Sequence, residues 1–472
     1  MCRHTLSVAA LAALLPLTAA ANHQPPGSAL GFGDATRFAD TQGSKQNPAG
    51  PIAGSERGVR MGVFSLGLSY EVGDVDDFGD DFEDLGDDFE ALEGLPDEIE
   101  ALDPVDEDAI DDLANRIGEL QDLERRTNDL LNDLGEDGYL TAGAMGQFVP
   151  FPFETTHDAL RGSLLVDLEY SARGHLSVLH EGELTTAAAQ LSDHPGDYGF
   201  DENCGETYCI DEDGNVYRDG DLLDLEADIN LDGFGGYIRS AITRTFTLGY
   251  GTTVYDNPHG LLFAGAQLKH HQVELSRMTV GFDDDAGSKL SDEFGENSQT
   301  DSDIGVDLGV MWVSDHYRAG ASIANLIEPT FDYPAVEGEA TYDKATARGE
   351  VDPDESYRME RQLNVEGAVH TADGRWLLGG SLDLNAADGP FADGSEDAYQ
   401  WLTVGGAYRP PHAALPGWRL GYRQNLAGSE IGYITGGVTL FRVLTLDAGM
   451  STETVDSVPR AFMFNAGVGV RF

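Results

Sequence analysis

From Arg60 onward the chain alternates apolar residues with small or polar ones at the period of two that puts the two sets on opposite faces of a β-strand. Phe64, Leu66, Leu68 and Tyr70 alternate with Ser65, Gly67, Ser69 and Glu71. Leu164, Val166, Leu168 and Tyr170 do so against Asp167, Glu169 and Ser171, and Ile304, Val306, Leu308, Val310 and Trp312 against Gly305, Asp307 and Gly309. Trp376, Leu378, Leu382 and Leu384 oppose Arg375, Ser381, Asp383 and Asn385; Trp418, Leu420, Tyr422 and Leu426 oppose Arg419, Arg423 and Asn425. Charged residues on the second face predict a wet lumen, where a soluble β-sandwich would hold a dry core.

The connections sharpen this reading. Short turns near Phe441, Asp373-Gly374, Ser314-Asp315 and Asn257-Pro258 alternate with longer stretches at 387–397, 327–356 and 281–301, so the long ones share one side. That parity predicts an all-β transmembrane barrel of about 14 antiparallel strands, within a range of 12–16, with periplasmic turns and external loops. Beyond the N-terminus no stretch is apolar for the roughly 20 residues a spanning helix needs. A mean hydropathy of -0.29 is compatible with a barrel, because only every second strand residue meets lipid.

The two ends carry signals of their own. Arg3, an apolar run from Leu6 to Leu17 and small residues at Ala19, Ala20 and Ala21 read as a secretory signal peptide over 1–21, cleaved before Asn22. The final strand sets Phe462, Phe464, Ala466, Val468, Val470 and Phe472 against Asn465, Gly467, Gly469 and Arg471. Asn465, Gly467, Val470 and terminal Phe472 resemble the C-terminal signal read by the outer-membrane assembly machinery. The expected partners are that machinery and outer-membrane lipid, and the expected location is the outer membrane.

Charge changes the picture in one place. The chain has 84 acidic and 28 basic residues, a formal charge of -56, which disfavours nucleic-acid binding through phosphates. Of these, 27 acidic residues lie in 74–137 against three Arg. There Phe78, Phe82, Leu85, Phe89 and Leu92, and later Ile110, Leu113, Ile117 and Leu120, recur at helical spacing, with Pro96 and Pro104 between the runs. An acidic helical hairpin inserted between the first two strands is expected, with disorder of the self-repelling segment as its rival. Asp-rich stretches such as Asp283-Asp284-Asp285 lack the EF-hand spacing, which favours loose counter-ions over specific calcium sites. The metal expectation is none.

Cys204 and Cys209 stand five residues apart in an acidic segment of an exported chain, which predicts a loop-stapling disulfide. Pairs such as Asp193-His194, Asp315-His316 and His270-His271 accompany no G-x-S-x-G, P-loop or dinucleotide fingerprint. The chain is expected not to be an enzyme and to carry no catalytic residues and no cofactor.

Ala29-Leu30-Gly31-Phe32-Gly33, then Asn47-Pro48-Ala49-Gly50 and the strand 63–72, look like the start of FadL-type outer-membrane proteins. That resemblance implies a leading segment inside the barrel and passage of hydrophobic compounds. The order of Asn47-Pro48-Ala49-Gly50, a strand ending Ser69-Tyr70-Glu71-Val72, an acidic insert and Leu134-Gly135-Glu136-Asp137-Gly138-Tyr139-Leu140 is similar to the TraF-like conjugal transfer protein family. It implies an envelope component of plasmid transfer, alongside other conjugation proteins. The expected organisation is therefore a plug at 22–57 and a barrel at 58–472, with plug residues Arg37 and Lys45 facing inward Asp167, Glu169, Asp307 and Asp383.

Overall fold

The computed structural model describes residues 24–25, 27–35, 45–54, 58–74, 125–126, 128–129, 135, 138–179, 208–210, 216–218, 221–223, 235–281, 297–336, 340–392, 397–455 and 457–472. Fourteen antiparallel strands form the wall. They are β1 (Gly58–Val72), β2 (Tyr139–Phe148, continued by Phe153–His157), β3 (Gly162–Leu179), β4 (Gly235–Asn257), β5 (Gly260–Gly281), β6 (Ser298–Val313) and β7 (Tyr317–Ala324). The second half comprises β8 (Gln362–His370), β9 (Trp376–Asp383), β10 (Trp401–Tyr408), β11 (Gly417–Asn425), β12 (Gly432–Leu440), β13 (Leu444–Ser451) and β14 (Ala461–Arg471).

Each strand pairs with its neighbours in sequence, and the sheet closes where β1 meets β14, from Arg60↔Arg471 to Glu71↔Ala461. Closure leaves no unpaired edge, the condition for strands to cross a bilayer. The sequence pattern holds along the strands, except that Arg375, read as inward, lies exposed in the turn before β9. Ser65, Glu71, Asp167, Asp307, Asp383, Arg419 and Arg423 are buried on the inner face, whereas Phe64, Leu68, Ile304, Leu378, Leu420 and Tyr422 are exposed on the outer one.

One end of the wall carries short turns. Thr371–Trp376 shows how the sequence makes one: Gly374 takes φ +64°, and Asp373 accepts hydrogen bonds from Thr371 Oγ1 at 2.6 Å and Arg375 N at 3.1 Å. Those two donors hold the Asp373 carboxyl below its ordinary range. Trp376, Tyr408 and Trp418 lie opposite one another on β9, β10 and β11 near this end, with ring centroids 4.7 Å and 5.4 Å from Trp376. Such a cluster fits an interfacial aromatic girdle.

All the long connections sit at the other end, as the sequence predicts. The boundaries differ: β6 begins at Ser298, inside the stretch read as a loop, because Ser298–Asp303 is polar on both faces and so lacks alternation. With 23 and 22 residues, β4 and β5 far exceed the roughly 9–11 that span a bilayer. Their paired ends therefore extend beyond it.

β2 is interrupted at 149–152, where Pro150 and Pro152 cannot donate to the ladder. The chain folds over Gly62 there: Gly62 N donates to Pro152 O at 2.9 Å, and a side chain at Gly62 would collide with Phe151 O.

The second compact unit, 75–138 and 178–235, contains a three-stranded antiparallel sheet of Tyr208–Ile210, Val216–Arg218 and Asp221–Leu223. Of the expected acidic hairpin only residues 125, 126, 128, 129 and 135 are described, all helical, so the hairpin as such lies outside the described residues. Cys204 lies outside them too, which leaves the disulfide undescribed; Cys209 is the middle residue of its short strand.

Candidate functional site

The candidate site is the lumen, occupied by two stretches of the N-terminal segment. The second begins at Lys45, whose ammonium pairs with Asp167 at 3.0 Å and with Glu169, both on β3. Gln147 from β2 donates to both Asp167 oxygens at 2.9 Å, so the carboxylate is held from two sides. Gln267 on β5 donates to Lys45 O at 2.7 Å. The partners expected of Lys45 are thus present. Asp307 instead pairs with Lys269 at 2.6 Å, and Arg37 lies outside the described residues.

Asn47 follows, wholly buried. Its Nδ2 donates to Glu366 Oε1 on β8 at 3.0 Å while its Oδ1 accepts from Ala49 N at 3.0 Å, an Asx turn that leads into the helical turn α1 (Gly50–Ala53), whose N-cap is Ala49. Pro51 near the start of α1 suits that position, where its missing N–H costs no hydrogen bond. What admits this turn is a pair of glycines directly opposite each other on β5 and β6, Gly265↔Gly309. A methyl at Gly265 would collide with Pro48 O, and one at Gly309 with Asn47 Oδ1.

The first stretch is seated the same way on another part of the wall. Gly27–Phe32 forms a 3-10 turn against β10 to β14, with Leu30 fully buried among Tyr399, Trp401, Ile431, Tyr433 and Met463. Gly405↔Gly421 is again a cross-strand pair, and a side chain at either would collide with Phe32. Ser381 Oγ donates to Asp34 O at 3.2 Å, and Asn465 Nδ2 on β14 donates to Pro25 O at 2.7 Å.

At the end with long connections, described parts of 325–361 and 384–400 fold back onto the inner face of the wall. Arg173 on β3 makes a bidentate pair with Asp397 at 2.5 Å and 3.2 Å. Arg239 and Arg277 reach Glu355 at 2.9 Å and 3.7 Å, and Arg277 also donates to three loop carbonyls, Pro334, Asp352 and Pro353. The Phe391 ring lies 5.2 Å from the Arg173 guanidinium and 5.3 Å from the His175 ring. Sequence reading missed these partners. Alternation did not single out Arg173, Arg239 or Arg277, and which loop carboxylate reaches each depends on how the loop folds back.

The four residues of the expected assembly signal lie on or beside β14. Asn465 and Gly467 face inward, Val470 pairs opposite Met61, and Phe472 N donates to Val59 O at 2.9 Å while its ring is exposed. Among the described residues no group of three or more His, Cys, Asp or Glu is arranged to hold a metal ion.

A closed, even-stranded antiparallel wall with an apolar outer face and a polar interior defines an outer-membrane type of β-barrel. Residues 45–383 match the family described as "F plasmid transfer operon, TraF, protein", and the chain belongs to that family. Solved structures similar to it include a Pseudomonas aeruginosa FadL homologue (10% identity, 96% of this chain and 99% of that one, TM-score 0.41) and the Pseudomonas putida toluene transporter TodX (10%, 97% and 99%, 0.38). CdiB from Acinetobacter baumannii is similar at 8% identity over 88% of this chain and 60% of its own, with TM-score 0.28. Searching the curated proteins by sequence gave no match.

Proposed function

We propose that the chain is an outer-membrane envelope component of plasmid transfer whose barrel is plugged by residues 22–57 after removal of the signal peptide, and that displacement of the plug opens a narrow, cation-favouring passage. The family supports the setting. The observation that carries the plugged state is the seating of Asn47-Pro48-Ala49 over Gly265 and Gly309, with Lys45 fixed between Asp167 and Glu169. Assembly uses the β14 terminus.

Deleting 22–57 behind the intact signal is expected to raise single-channel conductance in planar bilayers, with cations favoured by the acidic lumen. Unchanged conductance places the segment outside the pathway. Loss of the gene from a donor cell is expected to lower plasmid-transfer frequency; a normal frequency removes the conjugal role.

The second reading is a FadL-type channel for hydrophobic small molecules, favoured by the Asn47-Pro48-Ala49-Gly50 run in its lumen position. A lumen bordered by Asp167, Glu169, Lys269 and Asp307 obliges such a compound to pass ionised groups, which supports the first reading over it.

A further inference from the structure

The long connections 325–361 and 384–400 are joined to each other. Each folds on itself as a short ribbon, Thr330–Asp332 against Ser356–Arg358 in the first and Ala387–Asp388 against Ala398–Tyr399 in the second. They meet where Tyr333 Oη donates to Pro390 O at 2.7 Å, and in an apolar cluster that sets Phe331, Tyr333, Tyr357 and Met359 beside Phe391 and against Ala241, Val273 and Leu275 of the wall. Phe331 and Phe391 are 1% and 2% exposed, as in a core rather than a surface loop. Neither connection can leave the wall alone without opening that shared cluster to water.

Three arginines of the wall fasten the pair. Besides Asp397, Arg173 of β3 reaches Tyr399, donating to its hydroxyl at 2.7 Å, and Asp397 also accepts from Phe391 N at 2.9 Å, which ties the ion pair to the apolar cluster. Glu355, which Arg239 of β4 and Arg277 of β5 approach, accepts in addition from Tyr237 Oη at 3.1 Å. Arg173 and Arg239 are each 3% exposed, so loss of either carboxylate leaves a buried charge uncompensated. A cavity of about 190 Å³ is bordered both by Gln24, Lys45 and Gln46 of the N-terminal segment and by Asn325, Tyr357 and Met359 of the first connection.

We propose that the two connections form a single arginine-latched lid, a second gate in series with the plug, and that a solute crosses the cavity only when both are displaced. This rests on the plugged-channel reading and adds what governs its external side. The shared cluster makes the lid move as one piece, and the latches on β3, β4 and β5 set how often it does so.

The test uses the full mature chain refolded into lipid bilayers, with Cys204→Ser and Cys209→Ser so that Ser69→Cys, in the cavity lining, supplies its one thiol. A water-soluble thiol reagent reports access to that position with the plug in place. Asp397→Asn cuts the latch on β3 and Glu355→Gln the one on β4 and β5. Each is expected to speed labelling about tenfold or more, because either releases the whole lid. Tyr333→Phe, which removes only the hydrogen bond between the connections, is expected to give about fivefold and serves where a charge variant lacks the heat-modifiable folded band. Unchanged labelling in every folded variant overturns the lid. A rise with Asp397→Asn alone or with Glu355→Gln alone overturns its moving as one piece.

Single-channel recording then tests its place in the pathway. Asp397→Asn alone is expected to stay closed, deletion of 22–57 alone to give brief events, and the two together sustained ones. Equal conductance with and without Asp397→Asn in the plug-deleted chain removes the lid from the pathway and leaves the plugged channel standing, while no conductance from either plug-deleted form defeats the channel reading itself.

Discussion

In the plugged barrel we propose, Lys45 and the wall glycines do different work in holding the N-terminal segment, and substitutions separate them. Lys45→Met leaves Asp167 and Glu169 without their cation; breaking a buried pair costs on the order of 3 kcal/mol, less here because Glu169 keeps some access to water. The expected outcome is a seated segment that opens more often, read as longer conducting events. Gly265→Ala and Gly421→Ala act by collision with Pro48 and Phe32 instead, each costing about 1–3 kcal/mol of seating. Because the two glycine pairs hold different stretches, the double variant is expected to sum the single effects and to expose 22–57 to added protease. A double variant as closed and as protease-resistant as the parent would show that the glycines do not seat the plug.

Among elements, β14 and the segment around Cys209 carry the next expectations. Deleting Phe472 is expected to reduce insertion more than export, measured as loss of the heat-modifiable band with precursor processing intact; equal insertion of both forms would count against its role in assembly. Mass mapping without reductant is expected to join Cys204 to Cys209, and two free thiols would refute the pairing. The wall was legible in the sequence because alternation is a local property: Leu378 and Ser381, or Leu420 and Arg423, declare their faces without knowledge of any other strand. The parity of long and short connections was legible for the same reason. What escaped was non-local. Nothing in Asp397 or Glu355 alone points to Arg173 or Arg239, and Gly265 and Gly309 become a seat only once register sets them opposite each other. Asn47, by contrast, stands out through its motif, and its side chain binds Glu366 and the backbone of Ala49.

At the scale of the whole molecule, fractionation is expected to recover the protein with the outer membrane, as a band whose mobility shifts on boiling; a soluble periplasmic pool would sink the assignment. The pairing of β1 with β14 has a further consequence, for the order in which the molecule is made. Residues 24–25, 27–35 and 45–54 precede β1 yet lie against the inner face of the wall, and β14 holds the first of them: Asn465 donates to Pro25 O, and Gln24 Nε2 donates to Phe464 O at 2.7 Å. We propose that Gln24 and Pro25 take their places as β14 closes the wall, because their hydrogen bonds are to β14 itself. On that order, sealing the cylinder and seating Gln24 and Pro25 are one kinetic event.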